Sequence, residues 1–329
     1  MKEPKLCGLA DLHLHLDGAI SLSSARELAK LGGVSIPDSD EEILKLMQVS
    51  PGCKDLNEFL EKFEFPCSLL QTKECITRAV QNLLCELNEE GIIYAEIRFA
   101  PQKSTDQGLT QEDAILAALE GTKHAPIPCG LILCCMRGKD NRKENLETVT
   151  LAEKYLGDGV VAVDLAGAEA LFPTEDFAEI FDVAREKGIP FTIHAGEASG
   201  SDSVRNALSF EPKRIGHGVR SVEDPRVIAF LASNGIPLEL CPSSNLSTQV
   251  YESLSDFPLK QLLDAGVLCT INTDDPSIIG TTLKKEYELL IREFGLNQDT
   301  VQQLKENAIL ASFAPDSVKE ELLCYNRKK

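Results

Sequence analysis

The sequence has no apolar run of the roughly 18 residues that a membrane-spanning helix needs. Positive charge is also scarce: 33 lysines and arginines stand against 52 aspartates and glutamates, for a formal net charge of -19. A surface this acidic repels both phosphate backbones and anionic lipid headgroups. We therefore expect neither a membrane protein nor a nucleic-acid-binding protein.

The eleven cysteines are odd in number and contain no C-x-x-C pair. These two absences argue against a disulfide framework and against a structural zinc knuckle. Several cysteines lie inside apolar segments such as 131–136, so we expect small buried thiols in a reducing compartment. The N-terminus runs almost directly into the first apolar segment without the pattern of a secretory leader. We therefore expect a cytoplasmic protein.

Short apolar segments alternate with segments of helical periodicity along all 329 residues. No repeat, low-complexity tract or Gly/Ser linker interrupts them, which favours one domain over residues 1–329. Segments such as 160–163 are apolar on both faces, as parallel strands covered by helices are. Eight strands alternating with helices predict an α/β protein with a (β/α)8 or TIM barrel. The predicted strands are 9–15, 92–100, 129–137, 160–166, 191–194, 214–218, 237–241 and 267–273.

The connection after the first predicted strand is unusually long, since it covers residues 16–91. We therefore expect extra helices inserted there, including 56–70 and 73–88. Other helices are predicted over 112–124, 146–156, 174–187, 225–234 and 260–265. The first inserted helix carries an apolar stripe at i, i+3, i+4 and i+7, which is either helix core or an apolar gate over a pocket. The stripe consists of Leu56, Phe59, Leu60 and Phe63.

Histidine is scarce, with five in the chain, and four of the five lie at the ends of predicted strands. The active site of a (β/α)8 barrel lies at the carboxyl ends of the strands, so these four side chains should meet. His13 and His15 alternate along the first strand and point to one face, which suits a zinc ion. His194 and His217 end the fifth and sixth strands. His124 ends a predicted helix and should lie at the surface.

Carboxylates follow the same strand ends. Glu197 comes three residues after His194, and Asp274 and Asp275 follow the eighth strand. Adjacent residues point in opposite directions, so one aspartate can bind a metal while the other hydrogen-bonds a ligand. Each short motif alone also fits an ordinary turn or helix start. Together, at successive barrel strands, they indicate a metal-dependent functional site.

This ordered set of motifs resembles the adenosine deaminase family. The resemblance implies one zinc ion per chain, held by His13, His15, His194 and Asp274. It also implies hydrolysis of the 6-amino group of adenosine and 2′-deoxyadenosine to give inosine and ammonia in purine salvage. The matching segments are HLHLDGA at 13–19, LCCMR at 133–137, VVAVDLAG at 160–167, HAGE at 194–197, RIGHG at 214–218, CPSSN at 241–245 and NTDDP at 272–276.

The resemblance further implies the role of each residue. Glu197 would be the general acid that protonates purine N1, which requires a raised pKa. His217 would orient the hydroxide that zinc supplies near neutral pH. Asp275 would hold this water and contact N7, while Asp17 would accept a hydrogen bond from the ribose. The implied substrate-binding set is His15, Asp17, Gly167 and Asp275, with the backbone of Gly167 addressing N3 and the apolar stripe resembling the family's gate.

Two details of the motifs bear on the number of metal ions and on the substrate. The segment 160–167 lacks the lysine that bridges two metals in binuclear relatives, which favours one metal. Many adenosine deaminases have an acidic residue directly after the glycine that matches Gly167, whereas this chain has Ala168 and then Glu169. This departure keeps open an adenine deaminase or a modified-adenosine deaminase.

A more remote alternative is a non-catalytic nucleoside-binding protein, against which the presence of Glu197 argues. In each case the expected partner is a small purine nucleoside or base. The sequence gives no indication of oligomeric state.

Overall fold

The computed structural model describes residues 4–50 and 52–328. Its strands are parallel and alternate with helices, as the apolar pattern predicts. The predicted strands are confirmed, although the last strands are shorter than predicted. They are β1 Leu9–His15, β2 Ile92–Phe99, β3 Cys129–Met136, β4 Val160–Ala166, β5 Thr192–Ala195, β6 Arg214–His217, β7 Leu238–Leu240 and β8 Cys269–Ile271.

The strands form two four-stranded sheets, in the orders β1-β2-β3-β4 and β5-β6-β7-β8. Single parallel backbone bridges join the sheets at both edges. Val163 of β4 bridges to Phe191 just before β5, and Leu14 of β1 bridges to Asp274 just after β8. The strands thus follow one another around a ring, in agreement with the predicted (β/α)8 barrel. The register of β5 with β6 pairs Ala195 with His217, so both strands end at the same mouth.

The described residues of the long connection between β1 and β2, 16–50 and 52–91, contain five α-helices, which confirms the predicted insertion. They are α1 Leu22–Gly32, α2 Asp40–Met47, α3 Leu56–Leu60, α4 Glu64–Leu69 and α5 Lys73–Glu89. The prediction of one continuous helix over 56–70 is wrong. A short 3-10 helix at Glu61–Phe63 separates α3 from α4. Pro66 lies in the first turn of α4. Proline has no backbone N–H, and it is tolerated there because the N–H groups of a first turn make no helical hydrogen bond.

The remaining helices cover the outside of the barrel or follow β8. The helix predicted over 225–234 is confirmed, and the Asp224 side chain caps its start by accepting the backbone N–H of Arg226. The helix predicted over 260–265 is confirmed as α12, whereas α9 after β5, α11 directly after β7 and the helices after β8 were not predicted. These elements are α6 Gln111–Thr122, α7 Arg142–Tyr155, α8 Ala178–Glu186, α9 Ser201–Leu208, α10 Pro225–Asn234, α11 Pro242–Ser247, α12 Leu259–Asp264, α13 Pro276–Ile279, α14 Leu283–Phe294, α15 Gln298–Ala311 and α16 Asp316–Lys328.

No helix among residues 4–50 and 52–328 is long and apolar enough to cross a membrane. All eleven cysteines carry free thiols. The expectation that the thiols are buried holds for six of them but is wrong for Cys85 and Cys324, which are exposed on helices α5 and α16. His124 is exposed just after α6, as expected.

Candidate active site

Four predicted ligands meet at the carboxyl ends of β1, β5 and β8. The ligand atoms of His13, His15, His194 and Asp274 all lie within 4.8 Å of one another. Nε2 of His15 is 3.2 Å from Nε2 of His194. Oδ1 of Asp274 is 3.1 Å from Nε2 of His13 and 3.4 Å from Nε2 of His15. A tetrahedral zinc site with bonds of roughly 2.0–2.1 Å has ligand separations of about 3.3–3.4 Å, so this set fits one such ion.

Two buried carboxylates orient the histidines of this cluster. Oε2 of Glu239 lies 2.7 Å from Nδ1 of His13. Oδ2 of Asp164 lies 2.9 Å from Nδ1 of His194. A carboxylate that accepts the Nδ1 proton of a neutral imidazole leaves the Nε2 lone pair available to a metal. In agreement with this role, Nε2 of His13 has no hydrogen-bond partner among the residues that the structure describes.

A fully buried charge network inside the barrel holds these carboxylates. Arg98 donates to Asp164 at 2.8 Å and to Glu239 at 2.9 Å. Arg214 donates to Glu239 at 2.5 Å and to Glu96 at 2.6 Å. Burial acts to raise the pKa of Glu239, but Arg98 and Arg214 outweigh it and hold that pKa well below its usual value. Glu239 is therefore an ionised acceptor before any metal binds.

Asp274 is oriented by a separate hydrogen bond. The hydroxyl of Ser244 donates to Oδ2 of Asp274 at 2.7 Å, which leaves Oδ1 facing the histidines. The backbone of Asp274 has a φ of 64°, and that of His217 has a φ of 57°. Residues other than glycine rarely adopt this left-handed region, which costs about 1–2 kcal/mol. Strain is thus held at two positions that direct side chains into the site.

Glu197 and His217 face each other beside the ligand cluster. Oε2 of Glu197 is 3.6 Å from Nε2 of His217, and Nδ1 of His217 is 3.2 Å from Nδ2 of Asn245. Burial, together with the negative charges of Asp274 and Glu169, raises the pKa of Glu197 well above its usual value. Burial lowers the pKa of His217 to about 3. The site therefore favours a protonated glutamic acid next to a neutral imidazole.

The absence of a side chain at Gly18 leaves space for the carboxylate of Asp275. A Cβ atom at Gly18 would lie 1.8 Å from Oδ1 of Asp275, so any larger residue would displace this carboxylate. Burial, followed by the charges of Asp274 and Asp17, raises the pKa of Asp275 well above its usual value. Oδ1 of Asp275 and Oδ1 of Asp17 are both buried without a hydrogen-bond partner in the described part of the chain. Both oxygens are available to a ligand.

A cavity of about 630 Å³ opens beside the cluster, a size that suits a small molecule. His15, Asp17, Gly167 and Ala168 line it. The apolar stripe divides into two halves there. Leu60 and Phe63 are partly buried and line the cavity, and they pack against a small buried cluster that contains Leu56, Phe59 and Ile278.

The sequence left core and gate as alternatives for this stripe, and each half fits one of them. Glu197 lines a second cavity of about 550 Å³, together with Leu56 and Ala170.

Comparisons with known proteins place this site in a family. A family model described as adenosine deaminase matches residues 8–325. The adenosine deaminase of Haemophilus ducreyi is 46% identical over 331 residues, which cover 98% of this chain and 96% of that protein. The chain belongs to the adenosine deaminase family. It is thus a metal-dependent hydrolase of C–N bonds in cyclic amidines, and the named relatives support adenosine deamination.

Two solved structures are similar to this chain over nearly its full length. The adenine deaminase of Arthrobacter aurescens has a TM-score of 0.88 at 27% identity and covers 98% of this chain and 99% of its own. The N6-mAMP deaminase of Arabidopsis has a TM-score of 0.85 at 26% identity and covers 98% of both chains. Both similarities support the barrel fold of this family member.

Sequence patterns did not predict which residues support the candidate metal ligands of this chain. One signal could have found several of them: a charged residue inside an apolar strand, since a buried charge is costly unless it is paired. Glu239 in β7 and Arg98 in β2 are examples. The residues without an assigned role in the motifs are Glu96, Arg98, Asp164, Glu169, Arg214, Glu239, Ser244 and Asn245.

Proposed function

We propose that this chain hydrolyses adenosine to inosine and ammonia with one zinc ion held by His13, His15, His194 and Asp274. The observation that carries the proposal is this four-ligand cluster, whose separations fit a tetrahedral ion. Imidazole and carboxylate are ligands that zinc takes in hydrolytic sites. When bound, zinc would supply a water molecule acidic enough to act as a nucleophile near neutral pH.

Glu197 is the general acid of the proposed reaction. Addition of the nucleophile at C6 of the purine places negative charge on N1. A proton must therefore be donated to N1. A carboxyl group can supply that proton at neutral pH only if its pKa is raised, and burial raises the pKa of Glu197. Nε2 of His217 lies 3.6 Å from Oε2 of Glu197 and 3.8 Å from Oδ2 of Asp274, so His217 is placed to orient the attacking water.

Polar groups around the first cavity bind the nucleoside in this proposal. Protonated Asp275 contacts N7, and the backbone of Gly167 addresses N3. Asp17, beside His15, accepts a hydrogen bond from the ribose. The unpartnered buried oxygens of Asp17 and Asp275 support these assignments, as does the cavity lining, which includes His15, Asp17 and Gly167.

Leu60 and Phe63 form the gate over this cavity, and Leu56 and Phe59 anchor it. This division rests on which of the four line the cavity and which are buried in the cluster next to them. We further infer one catalytic domain over residues 1–329, because a single hydrophobic cluster contains residues from Leu9 to Leu304. A cytoplasmic location is supported by the eleven free thiols, which suit a reducing compartment.

An adenine deaminase or modified-adenosine deaminase is the second candidate. Ala168 favours it, because this small apolar residue lines the cavity where many family members have an acid. The two similar solved structures are named for adenine and for N6-mAMP. A non-catalytic nucleoside-binding protein is more remote, because Glu197 is present and buried beside His217.

Ultraviolet assays with adenosine, adenine and N6-mAMP in parallel test the proposal on the purified protein. We expect rapid loss of the adenosine absorbance and about one zinc per chain. Removing the metal with a chelator should abolish turnover. Zinc should restore it and magnesium should not, because magnesium prefers oxygen ligands. Turnover of adenine or N6-mAMP alone would select the second candidate, and inert substrates with zinc bound would contradict a catalytic function.

A further inference from the structure

Glu169 is a buried carboxylate that converges on the loop carrying Glu197. It follows β4 and is only 2% exposed. The carboxylate accepts five hydrogen bonds, four of them from consecutive backbone N–H groups. The donors are Gly196 at 2.7 Å, Glu197 at 3.1 Å, Ala198 at 2.7 Å, Ser199 at 3.0 Å and the hydroxyl of Ser203 at 2.5 Å.

This arrangement requires an ionised acceptor. Oε2 of Glu169 alone receives the N–H groups of Glu197, Ala198 and Ser199. Hydrogen bonds to a charged acceptor are roughly twice as strong as those between neutral groups, and successive N–H groups that point inward form an anion-binding concavity. These residues lie between β5 and α9, so a helix or sheet does not satisfy their N–H groups. The carboxylate therefore satisfies four backbone N–H groups that neither a helix nor a sheet satisfies.

The rest of this loop is also closely fitted. Gly196 has a φ of +70°, and a Cβ atom there would lie 2.4 Å from Cγ2 of Val204. The carbonyl of Gly196 accepts the N–H of Arg220 at 3.1 Å. Glu197 thus emerges from a backbone that is held on both sides. Its Oε2 atom lies 3.6 Å from Nε2 of His217.

We propose that Glu169 is a positioning residue for deamination, which fixes the backbone of residues 196–199 and so orients the Glu197 carboxyl toward the substrate ring. The inference rests on the proposed function, because Glu197 is the acid of that reaction. It also accounts for the unusual pair after Gly167. Ala168 lines the substrate cavity, whereas Glu169 binds the loop and does not line that cavity.

The variant Glu169→Gln tests this role. Its amide keeps the size of the side chain but replaces one accepting oxygen by a donating NH2 group, which opposes the backbone N–H groups. We expect kcat for adenosine to fall roughly 10–100-fold, because misplacement of the acid affects proton transfer in the transition state. KM should change by less than about threefold, and the zinc content should match that of the wild type. Glu169→Asp keeps the charge on a shorter side chain and should recover part of kcat.

Glu223→Gln is the matched control. Glu223 follows β6; its Oε2 accepts the backbone N–H of Ser201 at 3.2 Å and its Oε1 accepts from Arg220 at 2.6 Å, so the same substitution alters a carboxylate that contacts this loop beyond Glu197. We expect its kcat to equal that of the wild type. If Glu169→Gln does not fold, Ser203→Ala removes one of the five hydrogen bonds and should lower kcat by about two- to tenfold.

Three results would overturn the proposal. An unchanged kcat in Glu169→Gln, or in Ser203→Ala where that variant replaces it, would show that the contact does not position the acid. A fall in kcat that follows loss of zinc would assign Glu169 a structural role. An equal fall in Glu223→Gln would show a general effect of disturbing the loop. Failure of the proposed function is distinguishable, because the wild-type protein itself would then leave adenosine unchanged.

Discussion

Nδ1 of His13 lies 2.7 Å from Oε2 of Glu239, and both side chains are fully buried. Glu239 is held in turn by Arg98 and Arg214, so its orientation does not depend on a metal. The carboxylate is placed to accept the Nδ1 proton of His13, which directs Nε2 to the point where the other ligands meet. The pair links the charge network inside the barrel to the proposed zinc site.

Glu239→Gln should weaken zinc binding by about 10–100-fold, because loss of a carboxylate behind a ligating histidine reduces its basicity and its fixed orientation. Competition with a chelator measures this affinity. Glu286→Gln is the control, since this buried carboxylate accepts the N–H of Ser243 and the hydroxyl of Thr281 rather than a histidine proton. Zinc affinity equal to that of the wild type would contradict the role of Glu239.

Glu197→Gln should retain zinc and bind adenosine with little change but lose turnover by about 10²–10⁴-fold. The amide matches the acid in size and cannot transfer a proton to N1. Steady-state kinetics and metal analysis check both halves of this expectation. His15→Ala provides the contrast, because it should lose zinc and activity together. Normal turnover in Glu197→Gln would refute its assignment as the acid.

We expect kcat for adenosine to decline at alkaline pH. Burial, with the charges of Asp274 and Glu169, raises the pKa of Glu197. Only the protonated form donates, so kcat should be level below that raised pKa and fall about tenfold per pH unit above it. A kcat profile from pH about 6 to about 10 measures the limb. The residual kcat of Glu197→Gln should not show this alkaline decline. If the decline persists in that variant, another group is responsible for it.

Phe63→Ala should raise KM for adenosine more than it lowers kcat. Phe63 lines the cavity, and the centroid of its ring lies 6.5 Å from that of His15, so its loss removes apolar cover from the bound nucleoside. Kinetics and urea unfolding should separate it from Phe59→Ala. Phe59 is 1% exposed and does not line the cavity, so its truncation should lower the free energy of unfolding by about 3–5 kcal/mol. Equal effects of the two variants on KM would contradict the division of the stripe.

Sequence order alone predicted the barrel and the meeting of the strand-end side chains, whereas the ligand set was implied by the resemblance to the family. Parallel strands place their carboxyl ends at one mouth, so His13, His194 and Asp274 could be brought together from their positions after predicted strands. Alternation along β1 likewise placed His15 beside His13. These conclusions depend on local periodicity and on the order of strands, and both can be read from the chain without knowing which side chains touch.

The supporting contacts were decided by tertiary structure. Glu169 lies 27–30 residues before the N–H groups that it accepts, and His13 lies 226 residues before Glu239. Such partners are set by strand register and by the path of each loop, which local periodicity does not contain. The same holds for the stripe at residues 56–63. Its spacing predicts one helical face, but only Leu60 and Phe63 line the cavity while Phe59 is buried, and which part of such a face meets a cavity depends on the elements packed around it.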